Sequence, residues 1–413
     1  MTSDRKIYVG LATEPHQAVT PVGLLKLARR GVVESGEYAY GTQYLASSSA
    51  IPLNNEYMPL SNSAMALPER RLRDGGALPL TFRDALPDSW GRRVLEAQHG
   101  GSLDDIDALL LTNADRVGAM VFSESLPIKV DQAETSLIAL EEMSEAVKRL
   151  ELAMEITPAM RRLLQHGGTL GGARPKATFI HDNQRWIAKF PALGDDHDVE
   201  LLEISLLKLA EVCGIEVSAS RLENIQRGHA ILVSRFDREG NIGNERRIHF
   251  LSASALLNVP YESSGGSYVE LAQIIRKISI NPAHNLDQLY KRMIFNLIVD
   301  NTDDHVKNHG MLHVGSGQYR LAPAFDIVMQ LKNIGYQELA IVTGNHLSSI
   351  RLATEAAPYF GLKTEEAGRI IQLIHKKVHK ELTTMAEHFG ASPVLTERIK
   401  RCLTRQHDLI HSQ

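Results

Sequence analysis

The sequence predicts an α+β fold with a strand-rich N-terminal part and a mostly helical C-terminal part. Short runs of β-branched and aromatic residues, bounded by Gly, Pro, Ser and Asn, indicate strands before residue 125. A glycine-rich segment at 167–176 precedes two more strand patterns and an amphipathic helix. Beyond residue 237 helical spacing dominates, apart from a strand pair at 311–321. These changes of pattern predict three domains, at residues 1–125, 126–236 and 237–413.

Composition limits the classes of function. The chain has 413 residues, of which 43% are hydrophobic and 23% charged, values typical of globular proteins. Its net charge of −4 argues against a strongly basic nucleic-acid binder. Its two cysteines do not suggest a disulfide framework. Since the sequence opens without an apolar leader and contains no apolar run of about 20 residues, we expect no membrane association and a cytoplasmic location.

Local patterns predict the elements of the N-terminal half in order. Strands are expected at Ile7–Val9, Tyr38–Tyr40 and Ala119–Phe122. A helix should start near Trp90 with Asp88 or Ser89 as its cap, because these side chains accept hydrogen bonds from the first turn. Two more helices are expected, at 136–152 and 158–166. The charged run at 245–247 is expected to be a solvated loop.

The next part of the chain has features suited to binding phosphate. Glycine in the segment 167–176 would let backbone N–H groups approach phosphate oxygens closely. The two strand patterns that follow end near Lys189, whose charge can neutralise phosphates. An amphipathic helix then begins near Val199, and either Glu203 or, less favoured, Glu200 could hold the lysine in place. A strand over 230–236 follows.

The segment from Asn301 to Asn308 carries the most specific pattern. It follows an apolar helical run that ends near Ile298, and it places Asp303 five residues before Asn308. A short strand pair comes next, and then a second acid, Asp326. Protein kinases arrange their catalytic loop and metal-binding acid in this order. Asp303 is therefore the candidate base, and Asn308 and Asp326 are candidate ligands of Mg²⁺.

A metal-dependent hydrolase is a competing interpretation of the same segment. His305 and His309 are four residues apart and, with Asp303 and Asp304, offer ligands for a transition metal. This alternative leaves the glycine-rich segment and Lys189 without a role.

The assembled motifs resemble the HipA family, the bacterial serine/threonine kinase toxins of type II toxin–antitoxin modules. The similarity extends over most of the chain, and its specificity comes from the order of several modest motifs. The segments that carry it are Phe82–Gly91, Asp115–Ala119, Gly171–Lys176, Val233–Arg238, Asp303–Asn308 and Ala324–Asp326.

The resemblance implies a two-lobed, protein-kinase-like fold that binds ATP and Mg²⁺. It implies that Asp303 is the catalytic base and that Asn308 and Asp326 bind the metal ion. The residues that it assigns to the nucleotide are Gly171, Gly172, Ala173, Lys176, Lys189, Glu203, Ser234, Arg235, Phe236, His305 and Lys307. Thr169 takes the place of a serine that some members autophosphorylate, and Ser234 stands where some members carry an acid.

Family membership would also imply partners and a target. The partner would be a helix-turn-helix antitoxin, which would connect the kinase to operator DNA indirectly. The target would be a translation-related protein such as an aminoacyl-tRNA synthetase. Two alternatives stay open: a small-molecule kinase of the same fold, and a non-toxic co-repressor that acts with the antitoxin.

Overall fold

A computed structural model describes residues 2–112, 115–129, 140–155, 157, 160 and 174–412. The chain divides into two compact units, and each is described by itself. The first unit comprises Met1–Ile187, Asp237–Leu251 and Leu312–Gly317, and the second comprises Ala188–Phe236, Ser252–Met311 and Gln318–Gln413. The domain boundaries expected from the sequence stay a prediction.

The described strands lie between residues 2 and 252 and between residues 310 and 321. They are β1 Thr2–Leu11, β2 Thr20–Arg30, β3 Val33–Tyr40, β4 Met65–Arg71, β5 Met120–Ser123, β6 Lys176–His181, β7 Gln184–Lys189, β8 Ser220–Ile225, β9 Gly228–Ser234, β10 Arg238–Glu239, β11 Arg246–Arg247, β12 Phe250–Ser252, β13 Gly310–Gly315 and β14 Gln318–Leu321.

The three longest of the described helices lie in the last third of the chain. They are α1 Thr42–Leu45, α2 Leu80–Arg83, α3 Ser89–His99, α4 Asp105–Leu111, α5 Leu140–Glu151, α6 Val199–Val212, α7 Ala253–Leu257, α8 Tyr268–Ile278, α9 Pro282–Ile298, α10 Ile350–Ala356, α11 Thr364–His388 and α12 Pro393–Ser412. Within the described ranges, no helix combines the length and apolarity needed to cross a bilayer.

A five-stranded antiparallel sheet forms the base of the first unit. Its strand order is β4-β3-β2-β1-β5, so the last strand in sequence pairs with the first. Tyr38 on β3, Phe122 on β5 and Phe82 on helix α2 are buried together in the core of this unit. The ring of Phe82 lies 5.3 Å from that of Tyr38 and 5.4 Å from that of Phe122, both edge to face. Aromatic packing of this kind fixes helix α2 against the sheet.

A buried ionic network also stabilises the first unit. Arg185 donates to Asp115 at 2.8 Å and to Glu245 at 2.8 Å. The backbone N–H of Gly118 donates to Asp237 at 2.8 Å. The prediction that residues 245–247 form a solvated loop is wrong for Glu245, whereas Arg246 is exposed as expected, although it lies in strand β11. The carboxylate of Glu245 is paired with a guanidinium group and is almost fully buried.

Two helices of the second unit position the residues discussed below. Asp198 caps α6 by accepting from the N–H of Leu201, and the sequence prediction of this helix is confirmed. Asn281 caps α9, with Pro282 at the first helical position, where its missing N–H costs nothing. Most of α9 is buried, so the loop that follows it starts from a rigid element.

Candidate active site

Lys189 is held by two carboxylates within the second unit. It is the last residue of β7, and its side chain is 9% exposed. Its Nζ lies 2.5 Å from Oε1 of Glu203 on α6 and 2.7 Å from Oδ1 of Asp326. The structure thus brings together three residues that the sequence separates by up to 137 positions.

The electrostatics of this group favour the charged lysine. Burial by itself would lower the pKa of Lys189, but the carboxylates of Asp326 and Glu203 outweigh burial, and the net pKa is raised. The ammonium is therefore kept charged at neutral pH. A charged lysine held in a fixed position is suited to binding the oxygens of a phosphate group.

Asp326 lies in a loop shortly after β14 and has an unusual backbone. Its φ of +58° is in the left-handed region, which few residues other than glycine adopt. The ring of its neighbour Phe325 packs 5.1 Å from the ring of Phe236. Backbone strain of this kind persists where the surroundings enforce it, often at functional sites.

The loop from Asp303 to Asn308 folds back on itself. The side-chain N–H of Asn308 donates to the backbone carbonyl of Asp303 at 3.4 Å, a weak contact. The N–H of Lys307 donates to Nδ1 of His305 at 3.3 Å. Asn308 is buried, whereas Asp303 is exposed and accessible to another molecule.

Asp303 is the more basic of the two acids at the start of this loop. Desolvation by neighbouring protein atoms raises its pKa although the residue is exposed, and His305 partly offsets this effect. The negative charges of Asp326, Asp304 and Glu338 raise the pKa further. A carboxylate with a raised pKa is a better proton acceptor near neutral pH.

Asp304 lies next to Asp303 but belongs to a buried network. It accepts hydrogen bonds from the hydroxyl of Tyr268 and from Nε2 of His309, the latter at 3.0 Å. Burial alone would raise its pKa, but the contacts with His309 and Tyr268 lower it overall. Sequence reasoning missed Tyr268, since nothing local marks a residue 36 positions away as a partner. His309 is engaged by Asp304 in this network, which weakens the hydrolase interpretation.

Tyr261 is a second residue that sequence reasoning missed. Its ring lies 4.6 Å from the ring of His305, and Nζ of Lys307 lies 5.1 Å from its centroid. A cation over an aromatic face is attracted by the electrons of the ring. Tyr261 therefore orients both side chains that the family resemblance assigns to the phosphates.

The remaining predicted residues of the second unit lie at the end of β9 and directly after it. Ser234 ends this strand, and its N–H donates to the carbonyl of Ala219 at 2.8 Å. Arg235 is 4% exposed. Phe236 is half-buried and contacts Phe325, as described above. Their expected role toward adenine stays a prediction.

Only the end of the glycine-rich segment, at residues 174–176 of the first unit, lies within the described residues. Thr169, Gly171, Gly172 and Ala173 lie outside the described residues. Lys176 begins β6 and is 3% exposed, with its Nζ 3.8 Å from Asp88 and its carbonyl accepting from the indole N–H of Trp90. The Lys176 side chain thus already faces a carboxylate of its own unit.

The acidic groups around Asp303 and Asp326 are suited to a hard divalent cation. Their carboxylates and the amide of Asn308 are oxygen donors, which Mg²⁺ prefers. The carboxylates also raise the pKa of Asp303, so a bound cation would relieve their repulsion. Asn308 and Asp326 could therefore hold Mg²⁺, and Lys189 could bind the phosphates of a nucleotide.

Comparison with known proteins gives two curated relatives. Over 208 residues the chain is 27% identical to a protein of Sinorhizobium fredii named a putative kinase, covering 49% of this chain and 47% of that protein. Over 274 residues it is 25% identical to the serine/threonine-protein kinase toxin HipA of Shewanella oneidensis, covering 59% of this chain and 61% of that protein. The alignments thus span less than two thirds of either relative.

A solved structure and two family models extend this similarity. The Shewanella oneidensis HipA, solved with HipB and operator DNA, matches with a TM-score of 0.69 at 16% identity over 97% of this chain and 96% of that one. The match confirms the predicted α+β, HipA-like fold. The model of the HipA N-terminal domain matches residues 16–123, and that of the HipA-like C-terminal domain matches residues 168–382. The second match alone covers more than half of the chain, and the protein belongs to the HipA family.

Proposed function

We propose that this protein is an ATP- and Mg²⁺-dependent serine/threonine protein kinase and the toxin of a toxin–antitoxin pair. The observation that carries the proposal is the buried ammonium of Lys189 between Glu203 and Asp326. Kinases use such a lysine–glutamate pair beside a metal-binding aspartate. Two relatives named as kinases support the same activity.

Each residue of the site has a separate task in this proposal. Lys189 offsets negative charge on the phosphates, and Glu203 keeps its ammonium in place. Asn308 and Asp326 hold Mg²⁺, which when bound neutralises charge on the transferring phosphoryl group. Asp303 is exposed and accepts the proton of the substrate hydroxyl. Positioning and electrostatics together account for most of the expected rate increase.

Three groups of residues complete the nucleotide site in this proposal. Residues 234–236 contact the adenine, chiefly through backbone groups. His305 and Lys307 lie on the phosphate side, where Tyr261 orients them. The glycine-rich segment supplies N–H groups to the phosphates, and Thr169 within it is the candidate autophosphorylation site.

The proposed partner is a DNA-binding antitoxin. The similar Shewanella protein was solved with HipB and operator DNA. Since this chain has a net charge of −4, we propose that it reaches DNA through the antitoxin. The proposed substrate is a translation-related protein such as an aminoacyl-tRNA synthetase.

The nature of the phosphate acceptor tests the assignment as a protein kinase. The purified protein is incubated with γ-labelled ATP, Mg²⁺ and a bacterial lysate, and the label is traced to protein or to small molecules. We expect label on serine or threonine of a discrete protein band. Label confined to small molecules would replace the proposal with a small-molecule kinase. An absence of transfer, with antitoxin binding retained, would indicate the co-repressor.

A further inference from the structure

Four histidines meet where the last two helices pack together in the second unit. His375 and His379 lie four residues apart on α11, and His407 and His411 lie four residues apart on α12. Side chains at this spacing share one face of a helix. The two helices therefore present two pairs of imidazole rings to each other.

The rings are close enough to share one ion. Nε2 of His375 lies 2.8 Å from Nδ1 of His407, and ligand atoms of His375, His379 and His407 all lie within 4.8 Å of one another. The ring of His411 is 4.4 Å from that of His407. Zinc–nitrogen bonds of about 2.0–2.1 Å in a tetrahedron separate two ligand nitrogens by about 3.4 Å. This spacing lies between the 2.8 Å that separates Nε2 of His375 from Nδ1 of His407 and the 4.8 Å within which the ligand atoms of His375, His379 and His407 lie.

A hydrogen bond prepares His411 as a further ligand. Its Nδ1 lies 2.9 Å from the backbone carbonyl of His407, and because a carbonyl only accepts, this nitrogen carries the proton. The lone pair is then on Nε2, which is directed away from that bond. Ligating histidines generally donate their other N–H in this way. His379 and His411 are exposed, so an ion can enter from solvent.

We propose that His375, His379, His407 and His411 form a binding site for a divalent transition metal ion, with zinc as the expected ion. Imidazole nitrogens suit zinc, nickel and copper, whereas Mg²⁺ prefers oxygen ligands. The site is therefore chemically distinct from the proposed Mg²⁺ site at Asp326. A bound ion would fasten α11 to α12 and stabilise the C-terminal helices.

The test uses full-length protein without a polyhistidine tag, treated with a chelator and then titrated with zinc chloride. Calorimetry gives the stoichiometry and Kd, and the Tm is followed as zinc increases. The test variant carries His379→Gln and His411→Gln, both at exposed positions. The matched control is His388→Gln, an exposed histidine at the end of α11. Circular dichroism without metal checks the fold of each protein.

We expect one zinc ion per chain and a Tm that rises with zinc in the wild type and the control. The test variant should bind zinc on the order of 100-fold more weakly. Losing even a residue that only hydrogen-bonds to a metal ligand can lower metal affinity by up to about 100-fold. Cobalt should give the visible spectrum of a tetrahedral ion. Equal binding by the test variant, several weak ions, or an octahedral cobalt spectrum would overturn the proposal. Phosphoryl transfer is not measured, so the outcome is independent of the proposed kinase activity.

Discussion

At the scale of single residues, Asp303 and Asp304 show how environment separates two adjacent acids. Asp303 is exposed, and desolvation with nearby negative charge raises its pKa. Asp304 is buried, and its hydrogen bonds lower its pKa. Only the first combines access to a substrate with increased basicity, while the second fixes the loop. Two adjacent aspartates in the sequence give no indication that their environments and roles differ in this way.

The raised pKa of Asp303 predicts a specific pH dependence. The base must be ionised to accept a proton, so kcat/KM should fall as pH drops through the pKa of Asp303. The midpoint of this acid limb should lie above the ordinary value of 3.8. A pH–rate profile measures it directly. Asp303→Asn should lower kcat by about 10²- to 10⁴-fold and remove this limb from the residual activity. An unchanged profile in the variant would show that another group is the base.

Tyr268→Phe should reduce stability because it removes a hydrogen bond to the buried carboxylate of Asp304. A hydrogen bond to a charged group contributes about 1.5–3 kcal/mol to stability, and Tyr268→Phe should cost about this amount. The matched control is Tyr290→Phe, which removes a hydrogen bond to the neutral carbonyl of Ala353 and should cost about 1 kcal/mol. The lowered pKa of Asp304 stabilises the fold above its unfolded pKa, near 3.8. That contribution is lost as pH falls through the lower folded pKa.

Urea unfolding at several pH values measures both effects. Tyr268→Phe moves the folded pKa of Asp304 back toward 3.8, so its penalty should be largest at neutral pH and should shrink in acid. The penalty of Tyr290→Phe should not follow this pattern. Equal, pH-independent losses in the two variants would contradict the proposed role of Asp304.

At the scale of elements, local patterns in the sequence predicted several helices and strands well. Helix α6 was expected from Val199 and is observed at Val199–Val212. The cap at Asp88 and the periodic run before Asn301 likewise predict helices that are confirmed. Pairing of β1 with β5 was not predicted, because it joins segments about 110 residues apart and leaves no local signal.

The candidate site likewise contains residues that the sequence pattern predicts and contacts that only the tertiary structure reveals. Asp303, Asn308 and Asp326 could be selected because their spacing follows a known chemical order. The contacts of Tyr261 and Tyr268, and the positive φ of Asp326, depend on tertiary structure and could not be read from spacing. The glycine-rich segment stays a prediction, since Gly171–Ala173 lie outside the described residues.

The connection between β7 and α6 through Lys189 and Glu203 predicts non-additive stability effects. Lys189→Met should cost about 3–5 kcal/mol, because it leaves the carboxylate of Glu203, which is 1% exposed, without its cation. Adding Glu203→Gln removes that buried charge and should recover a large part of the loss. A double-mutant cycle by urea unfolding measures the coupling. Strictly additive losses would show that the two side chains act independently.

At the scale of the whole molecule, the HipA fold and the kinase-like constellation lead to a prediction in cells. Overproduction of the wild-type protein in a bacterial host without its antitoxin should slow growth. Overproduction of Asp303→Asn to the same level should not, because the proposed toxicity requires phosphoryl transfer. Growth curves with immunoblots for protein level test this. Equal inhibition by both proteins would point to toxicity without catalysis.

The most direct test of the central claim is phosphoryl transfer from γ-labelled ATP by purified protein with Mg²⁺ and a lysate. Wild type is compared with Asp303→Asn and with Asp287→Asn, which alters a partly exposed ion pair with Lys291 on α9. We predict labelled protein with wild type and with Asp287→Asn, and little or none with Asp303→Asn. Equal labelling by all three proteins, or no ATP binding by the wild type, would contradict it.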